Sequence, residues 1–82
     1  MDGDSEDAGA PPELVARIRA WRLEEARRRR IPAFRIFGDR TLFALAASRP
    51  ESEGALLAVP GLGPKLVQRY GEVLLSLVAR HR

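Results

Sequence analysis

Apolar side chains recur along this chain at helical spacing, and no stretch shows the strict alternation of a strand. Leu14, Ile18 and Trp21 fall on one helical face, and Val15 and Ala26 widen the stripe. The pattern predicts a long amphipathic helix over residues 13–30, which Pro32 stops because its ring cannot continue a helix. Trp21 belongs to the core on this wheel. Residues 31–38 are apolar but punctuated by Pro32 and Gly38, too short for a helix of their own. They predict an extended or single-turn connector that plugs Ile31, Ile36 and Phe37 into the core.

Asp39 then reads as the cap of a second helix, with Leu42, Leu45 and Ala46 inward and a stop at Arg49-Pro50. Ser52 caps a short third helix over residues 53–59, which buries Leu56 with Val59 or Leu57. Pro64 opens a fourth that runs to about Tyr70. Gly71 bends or breaks it before residues 72–79 continue, with Val67, Tyr70, Leu74 and Leu77 or Val78 buried. The fold class is therefore all-α: a compact bundle of about five short helices without internal repeats.

Composition changes this picture at one end. Residues 1–12 are Asp, Gly, Ser, Ala and Pro without periodicity, and read as a disordered acidic leader or interdomain linker before a helical domain over residues 13–82. The net charge of +3 conceals a division. Asp2, Asp4, Glu6, Asp7 and Glu13 are five acids without a base, whereas fourteen Lys and Arg face six acids in the remainder, a balance of +8. A basic body implies a polyanionic partner, with a leader that can compete for it. The end of the chain just past its last helix fits a native C-terminus. With no cysteine, no apolar run long enough for a membrane span and an acidic start unlike a signal peptide, the expected setting is cytoplasmic, without membrane contact.

Candidate catalytic chemistry is absent. The sole histidine is His81, no cysteine is available as nucleophile or soft ligand, and the carboxylates do not cluster for a metal. Asp39 and Glu53 serve as helix-start residues, while Glu24–Arg28 and Glu25–Arg29 form favourable pairs four residues apart. No enzyme activity, no cofactor and no metal site are expected.

Binding chemistry is present in two places. Phe34-Arg35 on the connector, flanked by Arg30 and Arg40, combines an aromatic face with cations, which suits single-stranded nucleic acid if Phe34 is exposed rather than core. In Val59-Pro60-Gly61-Leu62-Gly63-Pro64-Lys65, two glycines able to take positive φ lie between prolines. This segment is either a compact joint between helices or a phosphate cradle in which free amides act with Lys65 and Arg69. Similar Gly-apolar-Gly turns occur in helix-hairpin-helix motifs.

Taken together, Trp21-Arg22, Ile31-Pro32-Ala33-Phe34, Phe37-Gly38-Asp39 before Thr41-Leu42, Leu57 to Lys65, and Arg69-Tyr70-Gly71 occur at the spacing of one family. The span 14–79 resembles an HRDC domain, the helicase-and-RNase-D C-terminal module, most of all that of RecQ-type helicases of DNA repair and recombination. The resemblance implies a five-helix auxiliary domain without catalytic groups that contacts single-stranded or branched DNA weakly and orients the parent helicase core, in cis, on its substrate. It further implies a monomer, associated with the nucleoid if bacterial, with contact residues Arg30, Phe34, Arg35 and Arg40 and a separate, weaker patch at Lys65 and Arg69. The alternative is a protein-docking or regulatory module, since some members bind protein or their own helicase core. Three positions depart from the family's common pattern. Phe34 replaces a frequent tyrosine and so loses a hydroxyl, Leu66 replaces a second cation, and Glu53 replaces a leucine.

Overall fold

The computed structural model describes residues 9–81 and contains no strand among them. Four α-helices and one 3-10 turn follow in order: α1 (Pro12–Arg29), the turn (Ala33–Arg35), α2 (Asp39–Ser48), α3 (Glu53–Leu57) and α4 (Pro64–His81). Most of the acidic leader, residues 1–8, lies outside the described residues, and the helical domain begins at Pro12.

Pro12 takes the first helical position of α1, where its fixed φ suits the helix and its missing N–H is no loss. Arginines dominate the last turn, where the helix dipole favours cations. The helix ends at Arg30 in the left-handed region (φ 59°, ψ 44°). The Arg30 N–H donates to the Arg27 carbonyl at 3.1 Å and the Ile31 N–H to the Ala26 carbonyl at 3.0 Å, the paired bonds of a Schellman end. This reversal returns the chain along α1, so the 3-10 turn packs against the helix that precedes it. The connector is thus the single turn that its proline and glycine predict, and Ile36 and Phe37 are buried.

The core is one cluster drawn from all four helices. Leu14, Ile18, Leu42, Leu45, Leu56, Leu74 and Val78 are fully buried within it. Each is at a position the helical spacing marks as inward, and Val59 and Val78 are the members of the two ambiguous pairs that are buried.

Several local expectations are corrected. Gly38, not Asp39, is the N-cap of α2; Asp39 is the first helical residue, and its carboxylate is engaged by Arg22 rather than by the helix amides. Ser52 does cap α3, its Oγ accepting the Ala55 N–H at 3.1 Å, but α3 stops at Leu57 because Ala58 begins the turn toward Pro60. Helix α4 passes through Gly71 without interruption, which leaves four α-helices where about five were expected. Gly71 is buried beside Leu56 of α3 and lies inside the helix rather than at a bend.

The two glycines of the α3–α4 turn also differ. Gly61 takes φ +92°, and a β-carbon there would lie 1.9 Å from Thr41 Oγ1 on α2. Gly63 does not adopt positive φ and has open space around it; its carbonyl accepts the Val67 N–H at 3.0 Å to start α4. The turn is therefore a joint held against α2 at Gly61.

These environments predict opposite effects for two alanine substitutions. At Gly71 a β-carbon meets Val67 Cγ1 at 3.4 Å and Leu56 Cδ1 at 3.6 Å, ordinary contact. Gly71→Ala should therefore raise stability by about 0.5–1 kcal/mol through helix propensity. Gly61→Ala should lower it by about 2 kcal/mol or more, from backbone strain plus overlap with Thr41. Urea unfolding, read as midpoint shifts at constant slope, checks both.

Candidate nucleic-acid interface

The C-terminal half of α1 carries a polar face that is partly buried. Arg22, 6% exposed, donates from Nη1 to the Phe37 carbonyl at 2.9 Å and from Nη2 to Asp39 Oδ1 at 2.8 Å. One guanidinium thus fixes both the end of the connector and the start of α2. Glu25, equally hidden, accepts Arg28 Nε at 3.1 Å and Nη2 at 2.6 Å, and the Tyr70 hydroxyl at 2.8 Å. Tyr70 in turn accepts Arg29 Nη1 at 2.9 Å, so its hydroxyl is used as donor and acceptor between α1 and α4. Hydrogen bonding from Arg28 holds the Glu25 carboxyl below its ordinary range; burial opposes this, and the Tyr70 hydroxyl and the charges of Arg28 and Arg29 reinforce it.

Trp21 is a correction. It is half-buried at the rim of the core, with its ring edge-on to Tyr70 at 5.0 Å and stacked with Phe37 at 6.2 Å. The indole also lines an open groove of about 520 Å3 with Glu24, Glu25, Arg27 and Arg28. The ring is too wide for the narrow apolar stripe of α1, and the same face must also carry Glu25. The expected pairs Glu24–Arg28 and Glu25–Arg29 do not form; Arg28 reaches back three residues to Glu25, and Arg29 reaches across to α4.

Around this face are the residues whose chemistry suits a nucleic acid. Phe34 lies on the 3-10 turn with 69% of its surface exposed, and Arg35 beside it is exposed as well. Arg30 occupies the left-handed end of α1 shortly before that turn, and the turn packs against α1. Arg40 is on the first turn of α2, next to the Asp39 that Arg22 holds. Lys65 and Arg69 are exposed on α4 one turn apart, and the Arg69 guanidinium sits 5.7 Å from the Tyr70 ring centroid. The side chains of Arg30, Arg35, Arg40 and Lys65 make no hydrogen bond or ion pair among the described residues. Their charges are open to solvent.

Sequence reasoning missed two polar groupings: Arg22 with Phe37 and Asp39, and the network of Glu25, Arg28, Arg29 and Tyr70. On a helical wheel Arg22 and Glu25 resemble solvated surface charges, and their partners on other elements lie 15 to 45 residues away. The available signal is that Arg22 and Glu25 interrupt the apolar stripe beside Trp21. No group of three potential metal-binding side chains occurs among the described residues, and no helix there is long and apolar enough to cross a membrane.

The network makes two stability predictions. Tyr70→Phe removes two hydrogen bonds to charged groups and should cost about 2 kcal/mol, measured by urea unfolding. Because the folded Glu25 pKa is depressed, its contribution is present above the unfolded carboxyl value near 4.3 and is lost as pH falls through the folded value. The stability gap between the unaltered chain and Glu25→Gln should therefore be largest near pH 7 and shrink as pH falls below about 4.

The HRDC-domain profile matches residues 12–78. Similar proteins include the ATP-dependent DNA helicase UvrD2 of Mycobacterium tuberculosis (strain ATCC 25618 / H37Rv), 38% identical over 87% of this chain and 10% of that protein. The ATP-dependent DNA helicase RecQ of Pasteurella multocida is 30% identical over 85% of the chain and 11% of the relative. Ribonuclease D of Pseudomonas paraeruginosa is 35% identical over 83% and 19%. The chain thus spans between a tenth and a fifth of the length of these relatives. Among solved structures, D. radiodurans RecQ HRDC domain 3 superposes with a TM-score of 0.78 at 35% identity, covering 90% of this chain and 92% of that one. Profile, relatives and fold agree: the chain belongs to the HRDC family, the non-catalytic accessory module of helicases and ribonuclease D.

Proposed function

We propose that this HRDC domain is a weak nucleic-acid-contacting module that orients a larger helicase on single-stranded or branched DNA. The observation that carries the reading is Phe34, a large aromatic 69% exposed on a turn anchored to α1 and bracketed by Arg30 and Arg35. A base stacks on its ring without regard to identity, as sequence-tolerant single-strand binders require. Arg30 and Arg35 neutralise the adjoining phosphates, and Arg40, Lys65 and Arg69 extend the positive field. Without a hydroxyl at position 34 the aromatic supplies stacking alone, which fits weak binding and a tethering role. The helicase relatives support a parent helicase core as the partner in cis; in this reading the domain is a monomer within an intracellular enzyme, at the nucleoid in a bacterium.

Anisotropy titration of a labelled dT15 oligonucleotide against the full chain tests the reading. Binding should weaken steeply with salt, and each cation removed from the contact should lower the slope of log affinity against log salt by about 0.7. Phe34→Ala should cost about 1–3 kcal/mol of affinity with little change in that slope, since stacking releases few counterions. No binding to dT15 or to a forked duplex at low salt would overturn the DNA reading and favour docking on protein.

A further inference from the structure

The two cation groups on α1 and α4 are not independent, because one buried tyrosine touches both helices' arginines. Tyr70 is 5% exposed and wedged against Trp21, so its ring is fixed. The Arg29 guanidinium from α1 is bonded to its hydroxyl at 2.9 Å, and the Arg69 guanidinium from α4 lies 5.7 Å from its ring centroid. Neither arginine has a carboxylate partner among the described residues. The carboxylate nearest this site, Glu25, is already matched: Arg28 binds both its oxygens and the Tyr70 hydroxyl binds one. Two guanidinium groups therefore meet one phenol at the α1–α4 seam, and the one carboxylate that shares its hydroxyl, Glu25, is directly paired with Arg28.

We infer that Arg29 and Arg69 form a phosphate clamp across this seam and that Tyr70 is the positioning residue that holds it. The ligand is the phosphodiester backbone of a nucleic acid strand, so the inference rests on the nucleic-acid reading above and deepens it. Arg29 precedes Arg30 at the end of α1 that carries the Phe34 turn, and Arg69 stands one helical turn from Lys65 on α4. The clamp links the Phe34 surface and the Lys65 surface into a single backbone track. Guanidinium groups suit this task because their planar donor fork matches phosphate oxygens and their charge persists at all physiological pH values. Anchoring on a buried ring reduces the side-chain freedom lost on binding, which an unsupported surface arginine would forfeit.

The test uses the full chain, dT15 as probe and amide NMR spectra to confirm that each variant is folded. Arg29→Gln and Arg69→Gln should each weaken dT15 about fivefold at low salt and lower the salt slope by about 0.7. Tyr70→Phe keeps every charge, so it should weaken binding about threefold with an unchanged slope, and this loss should vanish in an Arg29→Gln background. A merely structural role for Tyr70 would not show that dependence on Arg29. Should Tyr70→Phe unfold, the arginine Nε–Hε resonances of the unaltered chain decide: with inorganic pyrophosphate as probe, Arg29 and Arg69 must shift together at one midpoint. If Phe34→Ala abolishes dT15 binding while Arg29→Gln and Arg69→Gln leave affinity and slope unchanged, the clamp is wrong and the nucleic-acid reading stands. If the unaltered chain binds neither dT15 nor a forked duplex, both fall.

Discussion

A single buried guanidinium determines the path of the chain from α1 to α2. Arg22 leaves α1 on its core side, and its two terminal nitrogens are taken by the Phe37 carbonyl and the Asp39 carboxylate. A charge so far removed from water persists only where its partners are fixed, since the cost of desolvation is repaid by geometry. The constraint acts in both directions. It holds Phe37 in the core and Asp39 at the head of α2, and so leaves the four residues between Pro32 and Phe37 the one path available, a single 3-10 turn folded back on α1. Phe34 is at the apex of that turn and is pushed outward because Ile36 and Phe37 already fill the space beneath.

The arginines then divide by partner. Arg22 and Arg28 are spent on carboxylates, and Arg19 is held between Asp39 at 3.9 Å and the Phe43 ring at 5.7 Å. Arg30, Arg35 and Arg40 have no such partner among the described residues, and Arg30 and Arg35 are the arginines nearest the exposed phenylalanine in sequence. A run such as Arg27 to Arg30 therefore does not act as a uniform patch. Its second member closes a local pair, its third crosses to Tyr70, and its fourth caps the helix in a left-handed conformation. A β-branched residue or a bulky neighbour would fit poorly at that cap, and glycine would fit best, so the arginine there is kept at a stereochemical cost of about 1 kcal/mol.

The helices were legible because their signals are local. Apolar spacing locates α1, α2 and α4, Ser52 marks the start of α3, and Pro32 and Pro50 mark ends, all within a few residues of their effect. The candidate residues were legible as residue types, an aromatic among cations, but their arrangement was not. The meeting of Tyr70 with Arg29 is a contact 41 positions apart that no local pattern encodes. Gly71 failed for a related reason. A glycine that breaks a helix and one that lies within it facing a second helix look the same in sequence, and only packing beside Leu56, fifteen positions earlier, distinguishes them.

The same distinction applies to the two glycines before α4. A phosphate cradle needs a glycine-rich loop whose amides point outward at a helix start. Here Gly61 is turned toward Thr41, Leu62 is buried, and Pro64 has no amide hydrogen at the first position of α4. What the turn does supply is direction. By fixing where α4 starts against α2, it sets the rotation of a helix whose Tyr70 is buried while Lys65 and Arg69 are exposed. The cations of α4 are thus presented by side chains one turn apart, and the glycine turn contributes by orienting the helix that carries them.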